Sequence, residues 1–210
     1  MKKVIVYQIL LVIAVIAIIF LAVKPSCGKN EPQAEVAEIS TPGEWRKIGP
    51  EEITDNPVKL IKNDWLALAA GKEGDMNAMT IAWGGIGVLW GKPVVTVYVS
   101  TDRYTYGFME SNEYFTVTAF PEENRAKLAY IGSHSGRDGD KIKEAGLTAE
   151  YTELGNPTFT DGRLMIECRK IYSQQFDASR FNDDTKAIYS KGMGVHHLYI
   201  GEIVSVWAKD

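Results

Sequence analysis

Asn77-Ala78-Met79-Thr80-Ile81-Ala82-Trp83-Gly84-Gly85-Ile86-Gly87-Val88-Leu89-Trp90-Gly91-Lys92-Pro93-Val94-Val95-Thr96-Val97-Tyr98-Val99-Ser100-Thr101-Asp102-Arg103-Tyr104-Thr105 is the stretch whose reading decides the fold. Two runs rich in β-formers, 78–83 and 94–100, flank a glycine-rich apolar segment that reads as a loop. The second run ends in a cluster of hydroxyls with one arginine. Small residues let a backbone approach the face of a flat ring, and its N–H groups can then meet ring carbonyls. Hydroxyls and a guanidinium at a strand-to-helix junction suit a phosphate. The segment Ile131-Gly132-Ser133-His134-Ser135-Gly136-Arg137-Asp138-Gly139-Asp140-Lys141 repeats that chemistry and sharpens the reading.

Working outward, 65–70 is a first strand and 71–75 turns the chain. Residues 45–62 are turn-rich and wrap the domain. A short helix follows at 103–110, with Thr101 or Asp102 as its N-cap. Residues 113–120 alternate, with Tyr114, Thr116 and Thr118 on one side and Phe115, Val117 and Ala119 on the other. Pro121 opens a helix to about residue 130. Residues 131–139 form a glycine- and serine-rich loop, and 140–145 a short helix stopped by Gly146. Strands return at 148–152 and 164–176. Residues 177–194 are a polar excursion, and 195–207 close the chain as a long strand. Short strands without a βαβ rhythm predict a mainly β fold, an antiparallel barrel with a few flanking helices.

The 210 residues suffice for one domain and an appendage, and the net charge of −4 gives no general attraction to nucleic acid. Residues 1–44 hold four lysines and four glutamates, so the remainder carries the whole −4. An anion site must then be a local basic feature. Cys27 and Cys168 lie on either side of a linker, which argues against a disulfide scaffold. His134, His196 and His197 have no cysteine pair beside them and predict no zinc site.

Familiar motifs fail on spacing. Gly85-Ile86-Gly87-Val88-Leu89-Trp90 has tryptophan where a dinucleotide fingerprint needs its third glycine. Gly132-Ser133-His134-Ser135-Gly136 has histidine in the nucleophile position of a hydrolase elbow. The pairs Glu51/Glu52 and Asp183/Asp184 read as solvated surface, and Cys168 as a small buried residue.

The N-terminus is different. Residues 4–23 are apolar apart from Tyr7 and Gln8, long enough for a membrane-spanning helix. Lys24-Pro25-Ser26-Cys27-Gly28 follows. The run reads as a single-span anchor, as a lipoprotein-type signal ending at Cys27, or as a cleaved signal. The divisions are 1–27 for this segment, 28–44 for a polar linker and 45–210 for the domain. Lys2 and Lys3 before the run favour an extracytoplasmic domain.

The chain resembles the flavin reductase-like family, and within it the flavoredoxin group. The resemblance rests on 77–83, Trp90-Gly91-Lys92-Pro93, Arg103-Tyr104-Thr105, 132–141, Glu167-Cys168 and 197–203, in that order. It implies an FMN-binding split β-barrel of Greek-key type, flavin redox chemistry, NAD(P)H or a redox protein as partner, and a homodimer. It implies that Asn77, Met79, Thr80 and Trp83 surround the flavin ring, with Thr80 acting through its backbone. Ser100, Arg103 and Thr105 hold the phosphate. Ser133, Gly136, Arg137 and Lys141 complete the phosphate and ring-edge contacts. His134 and His197 are possible donors to flavin or nicotinamide. Two other readings stay open: an anchored electron carrier without NAD(P)H activity, and a flavin-binding module without turnover.

Overall fold

The computed structural model describes residues 43–209. The N-terminal apolar run, most of the linker and Cys27 lie outside them. Among the described residues no helix is long and apolar enough to cross a membrane.

Among the described residues ten strands carry the fold: β1 (Arg46–Ile48), β2 (Leu66–Lys72), β3 (Asp75–Ile81), β4 (Gly84–Leu89), β5 (Lys92–Ser100), β6 (Tyr114–Ala119), β7 (Ala149–Tyr151), β8 (Pro157–Phe159), β9 (Leu164–Gln175) and β10 (His196–Ala208). The helices are α1 (Pro57–Lys59), α2 (Tyr104–Ser111), α3 (Arg125–Ser133), α4 (Lys141–Glu144) and α5 (Asp183–Tyr189). Seven strands pair in the order β3-β2-β6-β9-β10-β5-β4, all antiparallel, and β1 adds to β10. The two ends of that path, β3 and β4, are successive in the chain and joined only by Ala82 and Trp83. Ile81 and Gly84, the residues that end β3 and begin β4, are three steps apart and so lie within about 11 Å of each other. The sheet therefore curls until its ends meet without hydrogen bonding, leaving one open seam.

Alternation along the strands sets the two faces. Leu66, Leu68 and Ala70 of β2 join Val95, Val97, Phe115, Val117, Ile166 and Tyr199 in the main core. Ala67 and Ala69 face the other way and pack with Ala78, Leu128, Ile131 and Phe159. Small alanines on that face let α3 lie close against the sheet. The threonines of β6 also face outward but are buried. Thr116 donates to the Pro157 carbonyl at 2.5 Å, and Thr118 meets Thr158 at 2.9 Å.

Several expectations are corrected. The glycine-rich segment is not a loop but strand β4, paired with β5 along its whole length. Arg103, not Thr101 or Asp102, caps α2, and no side chain accepts at that cap. Helix α3 runs on to Ser133, so the serine- and glycine-rich loop starts at His134. The polar excursion contains α5, whose first turn is capped by the Asn182 side chain accepting from the Thr185 N–H. The turn-rich entry supplies β1 rather than only wrapping the sheet.

Leu89 pairs with Lys92, so β4 and β5 are joined by a two-residue turn at Trp90 and Gly91. Both have positive φ, 53° and 72°, the backbone of a type I′ turn. Tryptophan is poorly suited to that conformation, and Trp90 is 69% exposed, so burial does not offset the strain. Trp90→Asn is expected to raise unfolding stability by up to about 1 kcal/mol, read as a higher urea midpoint at unchanged slope. A lower midpoint would show that the indole contributes packing.

Candidate functional site

Most of the candidate residues converge at the open seam. Met79–Trp83 form one wall of a cavity of about 560 Å³, and Tyr98, Ser100, Asp102, Arg103, Lys191, Met193 and His196 complete it. A second cavity of about 150 Å³ adjoins it, sharing Met79, Asp102 and Arg103. Its other walls are the start of α2 at Tyr104 and Thr105, the end of α3 at 131–133, and Ser135, Arg137 and Lys141. The larger space is sized for a ring system and the smaller for a compact polar group.

The small cavity is basic. Arg103, Arg137 and Lys141 line it, against one carboxylate, Asp102. That carboxylate is engaged elsewhere, accepting from the Gly194 N–H at 2.7 Å. Among the described residues neither Arg103 nor Lys141 forms an ion pair. Arg103 reaches only the Gly132 carbonyl, at 3.5 Å. Arg137 donates to the Asp102 carbonyl at 3.2 Å and sits 5.0 Å from the Tyr104 ring. The N-terminus of α2 opens on the same space and adds its unpaired N–H groups and dipole.

Lys141 is the most constrained of these groups. It is only 5% exposed, and its ammonium donates to the carbonyls of Ile131 at 2.8 Å and His134 at 3.0 Å. Burial, then the nearby Arg103 charge, lowers its pKa to about 8. Such an ammonium is stabilised by an anion entering beside it.

Other expected residues serve the frame. Asn77 donates to the Thr105 hydroxyl at 2.8 Å and is buried. A Cβ on Gly136 would lie 2.4 Å from the Asn77 amide oxygen, so the loop passes there only as glycine. Asn77 and Gly136 line a separate cavity with Tyr104 and Lys141, and neither the large nor the small space of the seam. Thr80 donates to the Leu128 carbonyl at 2.5 Å, which turns its hydroxyl toward α3 and leaves its backbone to the seam. Ser100 lies in the larger cavity and donates to the Gly194 carbonyl at 3.1 Å. Ser133 donates back into α3, to the Ala129 carbonyl at 2.9 Å.

The histidines divide. His134 stacks on Tyr130 at 3.8 Å, and His197 stacks on Tyr199 at 4.7 Å. Only His134 of these two touches either space, at the rim of the small one. His196, not singled out from the sequence, is the histidine in the larger cavity. Lys191 and Met193 from the excursion were missed as well. Period-two alternation separates His196 from His197, but only the observed register says which one faces the seam.

The description "Flavin reductase like domain" matches residues 65–210. The chain belongs to that family. Solved structures share its fold at low identity. An FMN-binding domain of a flavin reductase-like enzyme from Shewanella baltica is 18% identical, with a TM-score of 0.59 over 81% of this chain and 80% of that one. A flavoredoxin from Methanosarcina acetivorans is 23% identical, with a TM-score of 0.56 over 70% and 69%. An NADH:FAD oxidoreductase from Streptomyces globisporus is 14% identical, with a TM-score of 0.53 over 68% and 74%. No curated protein matches the chain.

The pKa of Lys141 gives a test of the site's electrostatics. Its folded value, about 8, is below its unfolded value of 10.5. The unfolded chain therefore binds more protons between these limits, and ligand-free stability gains from Lys141 as pH rises from 8 toward 10.5. Subtracting the profile of Lys141→Met from that of the wild type should leave this rise. A flat difference would mean that the ammonium is not desolvated.

Proposed function

We propose that this chain is an FMN-binding flavoprotein that carries electrons through the bound flavin. One observation carries the proposal: a ring-sized cavity opens at the sheet's seam onto a small basic one whose Arg103 and Lys141 form no ion pair. The donor set fits a flavin mononucleotide. Met79, Trp83 and the backbone of Thr80 would flank the ring. Arg103, Arg137, Lys141 and the N-terminus of α2 would hold the phosphate. Flavin supplies the redox chemistry when bound, accepting electrons from one partner and releasing them to another.

The protein's own task is then positional and electrostatic. The walls of the seam fix the ring, and the 177–194 excursion limits what reaches its face. Lys141 keeps a positive charge beside the cofactor without a competing carboxylate. A nicotinamide nucleotide is the donor in the first reading, which is favoured by the NADH:FAD oxidoreductase among the structural neighbours. A second reading is favoured by residues 4–23: the run attaches the chain to a membrane, and the domain works outside the cytoplasm as an electron carrier fed by a redox protein. In both readings the chain pairs as a homodimer, for which exposed Val88 and Trp90 supply apolar surface.

The purified protein is expected to be yellow and to release FMN, identified by mass. A colourless protein that does not quench added FMN would remove the proposal. Arg103→Ala should weaken FMN roughly 10- to 100-fold, the loss of one charge-assisted hydrogen bond of about 1.5–3 kcal/mol. Phosphate beside Lys141 raises its pKa above the ligand-free value of about 8, so binding takes up a proton in alkaline solution. FMN affinity should hold steady between about pH 7 and 8 and then fall by at most about tenfold per pH unit. Lys141→Gln should flatten that fall. NADH or NADPH oxidation with bound FMN separates the two readings.

A further inference from the structure

The outer face of β9 and β10 carries another cavity, of about 340 Å³, which shares no lining residue with the two spaces of the seam. Small-molecule sites span about 300–1,000 Å³. Trp45 and Trp207 wall it, Leu154, Met165 and Val204 add apolar surface, and Glu167 lies among them. A bulge in β10 makes this arrangement. Ile203 pairs with Cys168 but Ser205 pairs with Glu167, so β10 holds one extra residue, Val204. In a regular strand Ser205 would share the face of Ile203, which belongs to the main core. With the bulge, Val206 takes the core side, and Ser205 and Trp207 turn outward to line the cavity with Glu167.

Glu167 is 3% exposed. Its Oε1 accepts from the Thr152 hydroxyl at 2.5 Å and the Asn156 amide at 2.7 Å, and its Oε2 accepts from the Ser205 hydroxyl at 2.9 Å. All three donors are neutral. Among the described residues Glu167 forms no ion pair. A carboxylate offers about four lone-pair positions, so one remains, on Oε2. Buried charges are ordinarily paired. This one is held by neutral donors and leaves its negative charge in the wall of a cavity.

The rest of the wall has the same sign. Glu150 and Glu153 line it, against the single cation of Lys47. Glu150 accepts from the Trp45 indole N–H at 2.6 Å, which fixes that ring. Both indoles already attract ammonium groups. Lys209, which lies outside the cavity, is 4.3 Å from the centre of the Trp45 ring, and Lys47 is 5.6 Å from that of Trp207.

We propose that this cavity is a binding site for a small organic cation, a protonated amine on a compact apolar body. The ammonium donates to the open position on Glu167 Oε2, and the indoles of Trp45 and Trp207 face its charge and its apolar part. Lys47 is the protein's own competing cation and weakens the ligand. The site is independent of the flavin reading, because the two share no residue.

The full-length chain is titrated calorimetrically with benzylammonium, and with benzyl alcohol as a neutral probe of similar shape. Benzylammonium should bind at least about tenfold tighter than the alcohol. Glu167→Gln keeps the shape of the side chain, and its new amide can donate to the Ser205 hydroxyl. It should weaken benzylammonium about tenfold and leave the alcohol unchanged. Lys47 is exposed, so Lys47→Met tests the charge without touching the core. It should tighten benzylammonium about two- to threefold. No binding by the wild type, equal affinities for the two probes, or no tightening in Lys47→Met would overturn the proposal. Adding FMN should not change the affinity for benzylammonium. Competition between the two would place the probe in the seam and overturn the proposal as well.

Discussion

The two-residue link between β3 and β4 constrains everything near the site. It brings the two ends of the sheet together, yet their strands do not pair. A fully closed barrel would fill that seam with ladder hydrogen bonds, and an open sheet would spread it flat. Here the seam stays open because Met79–Trp83 leave one strand and enter the next in a sharp step. Backbone groups that a closed ladder would consume remain available to a ligand. The two apolar clusters lie on the two faces of β2.

Charge then decides what the seam can accept. The chain is acidic overall, but among the described residues its ion pairs lie away from this place. Glu202 is held between Lys92 and Arg169, Asp55 pairs with Arg163, and Asp161 with Lys127. Glu167 is buried but accepts from Thr152, Asn156 and Ser205 on the far side of the sheet. Asp102 alone reaches the seam, and its carboxylate is tied to the excursion. The small cavity is locally basic in an acidic protein because three cationic side chains line it against the one carboxylate of Asp102.

Much of this was legible in the sequence, and the failures have physical causes. The alternation of Phe115, Val117 and Ala119 against three hydroxyl-bearing residues gave β6 with both its faces. The hydroxyls and basic residues at the ends of the 77–105 and 131–141 segments drew the two together in the sequence, and the structure brings them to one cavity. The strand at 84–89 was not legible. Glycine weakens strands, and its local preference spoke for a loop until pairing with β5 overrode it. The excursion hid α5 because seven polar-rich residues carry little periodicity, and only the Asn182 cap marks its start. Asn77 and Gly136 were found for a reason other than the one that holds them in place. They fit each other, amide against missing Cβ. His196 was passed over because two adjacent histidines look alike until the register of β10 assigns them to opposite faces.

The hydrogen bonds that shape the seam are already made within the protein itself. Thr80 is tied to α3, Asn77 to α2, Ser100 to the excursion, and Lys141 to two carbonyls at the end of α3. These bonds lie within the protein, and Ile81 and Ile131, which line the seam's cavities, belong to the two apolar clusters. The conformational entropy of ordering these side chains is therefore met when the chain folds, and the walls of the seam are as settled as the sheet that carries them.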